Sequence, residues 1–97
     1  MRVNIEELSK IIAILLLNLR NSKGNEVELK NDYYWDISSE QIYNPYDDPN
    51  DISLGQLSDD LNEVYRLLSS SNEAIPYDLK RIAEILKAIS IENSTAF

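Results

Sequence analysis

Ile52-Ser53-Leu54-Gly55-Gln56-Leu57-Ser58-Asp59-Asp60 is the stretch on which the fold turns. Read as a helix start, Ser53 is the N-cap, Gln56 three residues on closes a capping box, and Ile52 and Leu57 form the hydrophobic staple around it. From there Leu54, Leu57, Leu61, Val64, Tyr65 and Leu68 recur at helical spacing. Asp59, Asp60, Asn62, Glu63 and Arg66 take the wet side, and Ser69, Ser70, Ser71 and Asn72 end the run. This reading leaves no second strand to pair with Val27 and Leu29. Those two residues alternate with Glu26, Glu28 and Lys30 in a segment (residues 25–31) open between strand, helix and coil. A lone short strand makes no sheet, so the expected fold class is all-α.

Outward toward the N-terminus, Asn4 is a good N-cap, with Glu7 placed to reach back to it and Val3 and Leu8 as a staple. Ile5, Leu8, Ile12, Leu15, Leu16 and Leu19 form one face, and Ile11, Ile14 and Leu17 widen it until little polar surface remains. A helix apolar on most sides is normally the buried central one. Gly24 is its natural stop. Outward toward the C-terminus, Pro76 suits the first position of a last helix whose apolar face is Leu79, Ile82, Ala83, Leu86 and Ile89. The expected architecture is thus a small bundle of three main helices, roughly 4–22, 53–70 and 76–90, in a single helical domain spanning 1–97. The hydrophobic first helix is expected between the other two, and the tail 92–97 is expected to be loose.

The remaining long loop carries a short helical turn near 38–43, where Ser38 and Gln41 resemble another capping box, followed by the turn chemistry of Asn44-Pro45 and Asp48-Pro49-Asn50-Asp51. It also holds Tyr33, Tyr34, Trp35, Tyr43 and Tyr46, interleaved with acids. Trp35 reads as a pin that fixes the loop to the helices. Tyr43 and Tyr46, beside prolines and acids, read as surface residues of the kind that anchor protein interfaces.

Chemistry is narrowed by what the composition lacks. The chain contains neither histidine nor cysteine. That removes the Ser-His-Asp and Cys-His nucleophile systems, the nitrogen and thiolate ligands of zinc, and any disulfide framework. Two distant glycines, Gly24 and Gly55, make no phosphate-binding loop. The oxygen-bearing side chains Asp47, Asp48, Asn50 and Asp51 break the calcium-loop spacing and read as turn and cap residues. No enzyme, metal or cofactor is expected. Seventeen acidic against nine basic side chains give a formal charge of −8, which repels nucleic-acid phosphates and anionic membranes and attracts basic protein surfaces. The apolar run Ile11–Leu17 is far short of the roughly twenty residues that span a bilayer, and no signal-peptide pattern is present, so the cytoplasm is the expected location.

The stretches Asp32-Tyr33-Tyr34-Trp35-Asp36-Ile37, Tyr43-Asn44-Pro45-Tyr46, Gly55-Gln56-Leu57-Ser58-Asp59-Asp60 and Tyr77-Asp78-Leu79 resemble an uncharacterised family of small acidic bacterial proteins. In size, acidity and helix content the chain is also similar to immunity proteins of contact-dependent inhibition and other polymorphic toxin systems. That likeness implies a protein that neutralises a toxin by covering its basic active site. The partner-binding face expected on this reading is Tyr43, Tyr46, Asp47, Asp48, Asp51, Asp59, Asp60 and Glu63, with tyrosines as anchors and carboxylates pairing with Lys or Arg. Two other functions fit the same sequence. One is a structural or homodimeric interaction module using Tyr77, Ile85 and Ile91. The other is an acidic mimic of nucleic acid.

Overall fold

The computed structural model describes residues 1–69 and 73–94. In chain order they form helix α1 (Ile5–Lys23), strands β1 (Tyr33–Ile37) and β2 (Ile52–Gln56), helix α2 (Leu57–Tyr65) with a 3-10 turn over Arg66–Leu68, and helix α3 (Tyr77–Glu92). The strands pair antiparallel from Tyr33↔Gln56 to Ile37↔Ile52. The fold is therefore mixed α/β, and the all-α expectation is wrong at Ile52–Gln56.

The reason lies in what caps α2. Ser53 and Gln56 have the spacing of a capping box, yet neither caps the helix: Gln56 sits at the N-cap position with no side-chain cap bond. The donors of the first turn go instead to Asp32, which precedes β1. Its backbone carbonyl takes the Leu57 N–H at 2.6 Å, and its carboxylate takes the Ser58 N–H at 2.7 Å, the Ser58 hydroxyl at 2.9 Å and the Gln56 side-chain amide at 2.8 Å. An acid placed 26 residues upstream thus serves the helix end as a local cap would. Ile52 to Gln56 are thereby free to run extended beside β1. Gly55 is required there, because the Tyr34 ring lies directly over it and a Cβ would overlap the ring carbons.

The core is small. Among the described residues, Leu57, Val64 and Ile85 are the buried apolar side chains, with Leu29, Tyr34, Leu61, Ala88 and Ile89 packed against them. It is the seam between α2 and α3, roofed by the hairpin. Residues 25–29 form no helix or strand, but Leu29 reaches the core from them. Each fully buried aliphatic side chain stabilises such a seam by roughly 1.5–3 kcal/mol.

α1 has the ends its sequence foretells and not the position. Asn4 Oδ1 accepts the Glu7 N–H at 2.9 Å, and Gly24, at φ 87°, turns the chain while its N–H donates to Arg20 O at 2.8 Å. Among the described residues, however, none in α1 is buried. It does not pack between the other helices. Its C-terminal half flanks an open apolar cleft of about 400 Å³ whose far side is Leu86 and Ile89 of α3. Since Ile52–Gln56 became strand, α2 keeps nine residues, about 14 Å of helix. A segment that short cannot form the second wall that a nineteen-residue helix would need along its length.

The start of α3 is held by charge. Pro76 stands at the N-cap position, one residue before the helix begins. Asp78, buried, accepts the Ile75 N–H at 2.8 Å and pairs with Arg66 at 2.6 Å and Arg81 at 2.9 Å. The Ile75 N–H bond, set against partial desolvation and aided by both guanidinium groups, holds the Asp78 carboxyl below the usual carboxylate range. At the far end, Glu92 is still helical and accepts the Lys30 N–H at 2.8 Å, so the expected loose tail does not begin there. Residues 95–97 of that tail, like residue 70 of the expected middle helix, lie outside the described residues. Among the described residues, no helix is long and apolar enough to cross a membrane.

Candidate functional site

Between β1 and β2 the chain makes an excursion over residues 38–51, and Gln41 braces it. The Ile42 and Gln41 N–H groups donate to Ser38 O, so a hydrogen-bonded turn over residues 39–43 stands where a short helical turn is expected near 38–43, and no helix forms there. The side chain of Gln41 does not cap that turn. Its oxygen accepts the Asn50 and Asp51 N–H groups at 2.9 and 3.0 Å, and its amide donates to Asn50 Oδ1. One residue thus clamps the outgoing and returning arms together, and the Ser38 N–H to Asp51 O bond at 3.1 Å closes the base. Within the tip, Asn44 accepts the Tyr46 N–H and donates to Asp47, both at 3.2 Å, an Asx-type turn.

What this bracing presents is aromatic and acidic. Tyr43 and Tyr46 are 90% and 92% exposed, with Asp47, Asp48 and Asp51 exposed around them. Tyr43 and Asp51 also border an open cleft of about 640 Å³ whose opposite wall is Tyr77, Lys80, Ala83 and Glu84 of α3. Five of the eight expected site residues therefore belong to one braced loop. Asp59 and Glu63 are exposed on α2 and do not line that cleft, and Glu63 lies 3.8 Å from Arg66.

Asp60 is a correction. It is buried, and its carboxylate accepts the Tyr34 hydroxyl at 2.6 Å, so it points into the protein instead of toward a partner. It belongs to a polar latch between the hairpin and α3. Lys80 Nζ donates to the Tyr34 hydroxyl oxygen at 3.1 Å and to Asp36 at 3.0 Å, lies 4.8 Å from the Tyr34 ring centre, and approaches Glu84 at 3.8 Å. Burial and then the bond to Asp60 push the Tyr34 hydroxyl up to about 12, with Lys80 pulling the other way. For Lys80, burial alone would lower the value, but the bonds to Tyr34 and Asp36 outweigh it and the net shift is upward. The Tyr34–Lys80–Asp36 contacts fasten the hairpin to α3.

Trp35 corrects the sequence reading as well. It is not buried against the helices: it is 72% exposed, with its cross-strand neighbour Leu54 and with Tyr33 also exposed. The signal was present as the period-two alternation Tyr33, Trp35, Ile37, which puts those side chains on the face opposite Tyr34 and Asp36. Ile85, read as part of a dimerising face with Tyr77 and Ile91, is a core residue, while Tyr77 and Ile91 are exposed. Among the described residues, no three acids converge as a metal site would require. Comparison with family models, with curated proteins and with solved structures finds no match for this chain.

Proposed function

We propose that the chain is a non-catalytic protein-binding domain that covers a basic protein surface, as an immunity protein covers the active site of a toxin. The observation that carries this reading is the braced 38–51 loop, which holds Tyr43 and Tyr46 in solvent among Asp47, Asp48 and Asp51. Stiff aromatic surface with a polar tip supplies contact area at low entropic cost. The surrounding carboxylates, in a chain of net charge −8, steer a basic partner and pair with its Lys or Arg. Asp59 and Glu63 add exposed carboxylates on α2 apart from the loop, and Asp60 contributes only by holding Tyr34.

The test is affinity capture with the product of the adjacent upstream gene co-expressed, at low and high salt. The wild-type chain is run beside a variant carrying Tyr43→Ser, Tyr46→Ser, Asp47→Asn and Asp48→Asn. The expected result is one basic protein, toxic when expressed alone, retained at low salt, released at high salt and absent from the variant. Equal capture by both chains, or capture of nothing, overturns the proposal.

A further inference from the structure

Among the described residues the sheet has two strands, and no further strand pairs with the outer edge of either. At the two ends of the hairpin the Leu57 N–H donates to Asp32 O and the Ser38 N–H to Asp51 O, so the even-numbered residues of β1 turn their backbone groups toward β2. The N–H and C=O groups of Tyr33, Trp35 and Ile37 therefore point away from β2. None of them finds a hydrogen-bond partner among the described residues. No proline, lysine or bulge guards this edge, and its one charge, Asp36, is paired with Lys80. Beside it the space has a wall. Two open clefts, of about 360 and 640 Å³, follow one another along β1 and share Glu84 of α3. The first is bordered by Tyr33 and Trp35 from one face of the strand and by Tyr34 from the other, which puts it at the strand's edge. The second reaches Tyr43 and Asp51 of the braced loop. Ile52 and Leu54, on the other edge of the sheet, border neither cleft.

We infer that the β1 edge takes up an extended segment of the basic partner as a third strand lying over α3, an inference that rests on the function proposed above. The outward groups of Tyr33, Trp35 and Ile37 present donors and acceptors at strand spacing, a series that another extended backbone satisfies in full. Side chains of the added strand alternate between two surfaces. One set points down toward α3, where the clefts are lined by Asp36, Asp51, Glu84 and Glu92 against Lys80 and Lys87. Lys80 is already engaged by Tyr34 and Asp36, so this floor favours Lys or Arg. The other set lies beside Tyr33 and Trp35, 62% and 72% exposed, and favours β-branched or aromatic residues. The occupant is thus a strand that alternates basic with apolar side chains. A second copy of this chain is the poorer occupant, because it brings two chains of net charge −8 together along an acid-lined trough.

The probe is the end-capped heptapeptide Lys-Val-Lys-Val-Lys-Val-Lys, titrated into the full chain. Trp35 is the chain's single tryptophan, so its fluorescence reports occupation of the edge. A saturable change in emission is expected, together with slowed amide exchange at Tyr33, Trp35 and Ile37. The block peptide Lys-Lys-Lys-Lys-Val-Val-Val, equal in charge but without alternation, should bind more weakly. Tyr33→Pro removes one outward donor and spares the β1–β2 ladder, since the first position of a strand tolerates proline. It should weaken binding about fivefold, the worth of one hydrogen bond, relative to Tyr33→Ala, which keeps the donor. Glu84→Gln, a helix-surface change that holds even if the proline disturbs the strand, should weaken binding about threefold. No binding, equal binding of the block peptide, or exchange protection that spares Tyr33, Trp35 and Ile37 would each overturn the proposal. So would a chain of doubled mass with those amides protected before peptide is added, which would give the edge to a second copy. The loop variant carrying Tyr43→Ser, Tyr46→Ser, Asp47→Asn and Asp48→Asn should still bind the peptide. Failure at the edge therefore leaves the capture experiment standing, and failed capture by the loop is read separately from the peptide titration.

Discussion

α1 and the unit formed by the hairpin, α2 and α3 make opposite use of their apolar residues. α1 contains the unbroken run Ile11–Leu17 and, among the described residues, buries none of it. The other unit buries three apolar side chains, Leu57, Val64 and Ile85, but surrounds them with fastenings: Asp32 on the start of α2, Asp78 between Arg66 and Arg81, and Lys80 between Asp36 and Tyr34. Hydrophobic content alone does not decide which element becomes the core. An element is buried when others of matching length face it and when polar groups fix their approach, and α1 has neither along most of its length.

The comparison breaks most visibly in the core. Ile85→Ala and Leu57→Ala should each cost about 2–4 kcal/mol, a large part of the 5–15 kcal/mol that holds a domain folded. The same truncation at Ile14 should change the unfolding free energy of the dilute monomer by less than about 0.5 kcal/mol. Urea titration of the three variants at low protein concentration measures the contrast. A loss at Ile14 equal to that at Ile85 would mean that α1 is covered within the monomer after all.

Gly55→Ala should come next, at about 1–3 kcal/mol, the usual range for overpacking. The added methyl meets the Tyr34 ring, so either the ring swings away or the strands part. A matching loss of the Tyr34 near-ultraviolet dichroism would place the strain where the structure puts it, and Gly55→Ala combined with Tyr34→Ala should recover the steric part.

That same position explains why the sequence was partly opaque. Capping is a local signal, and where the cap is local it was legible: Asn4 and Gly24 bound α1 as expected. At the second helix the cap is Asp32, separated from Ser58 by the whole hairpin, while the nearby Ser53 and Gln56 offer a complete but unused box. The strand partner is equally distant, since Tyr33–Ile37 is divided from Ile52–Gln56 by a loop of fourteen residues. Of the candidate face, the exposure of Tyr43 and Tyr46 followed from their turn-forming neighbours. The burial of Asp60 did not, because its partner Tyr34 is 26 residues away. Lys80 falls outside the Leu79, Ile82, Ala83, Leu86, Ile89 stripe of α3, and nothing local indicates that Tyr34 and Asp36 arrive to meet it.

The fastenings predict a pH response that α1 does not share. The Tyr34 hydroxyl is raised to about 12 in the folded chain against an ordinary value of 10.0, so the folded state holds this proton more tightly than the unfolded one. The stability it contributes is complete below pH 10 and should be lost as pH climbs from about 10 toward 12. Lys80 shifts in the same direction and reinforces the loss. On the acid side, Asp32 is lowered, chiefly by the Gln56 amide and then by the Ser58 N–H, and Asp78 by the Ile75 N–H. Their contribution is present above their ordinary value of 3.8 and declines as pH falls through the lower folded values. Tyr34→Phe should flatten the alkaline limb and leave the acid limb unchanged, as read from unfolding midpoints across the two ranges.

The smallest effect is the most discriminating one. Asn4→Ala removes the acceptor of the Glu7 N–H and should cost the first turn of α1 about 1 kcal/mol. In a helix docked along its length, fraying of one end is resisted by packing, and the cost appears in global stability. In α1 that end touches little: Ile5 is 72% exposed and Leu8 is 40% exposed. The cost should therefore stay local, as faster amide exchange at the first turn and a small drop in helical dichroism, with the global unfolding midpoint nearly unmoved. A drop in the global midpoint as large as the local loss would mean that the first turn of α1 is docked after all.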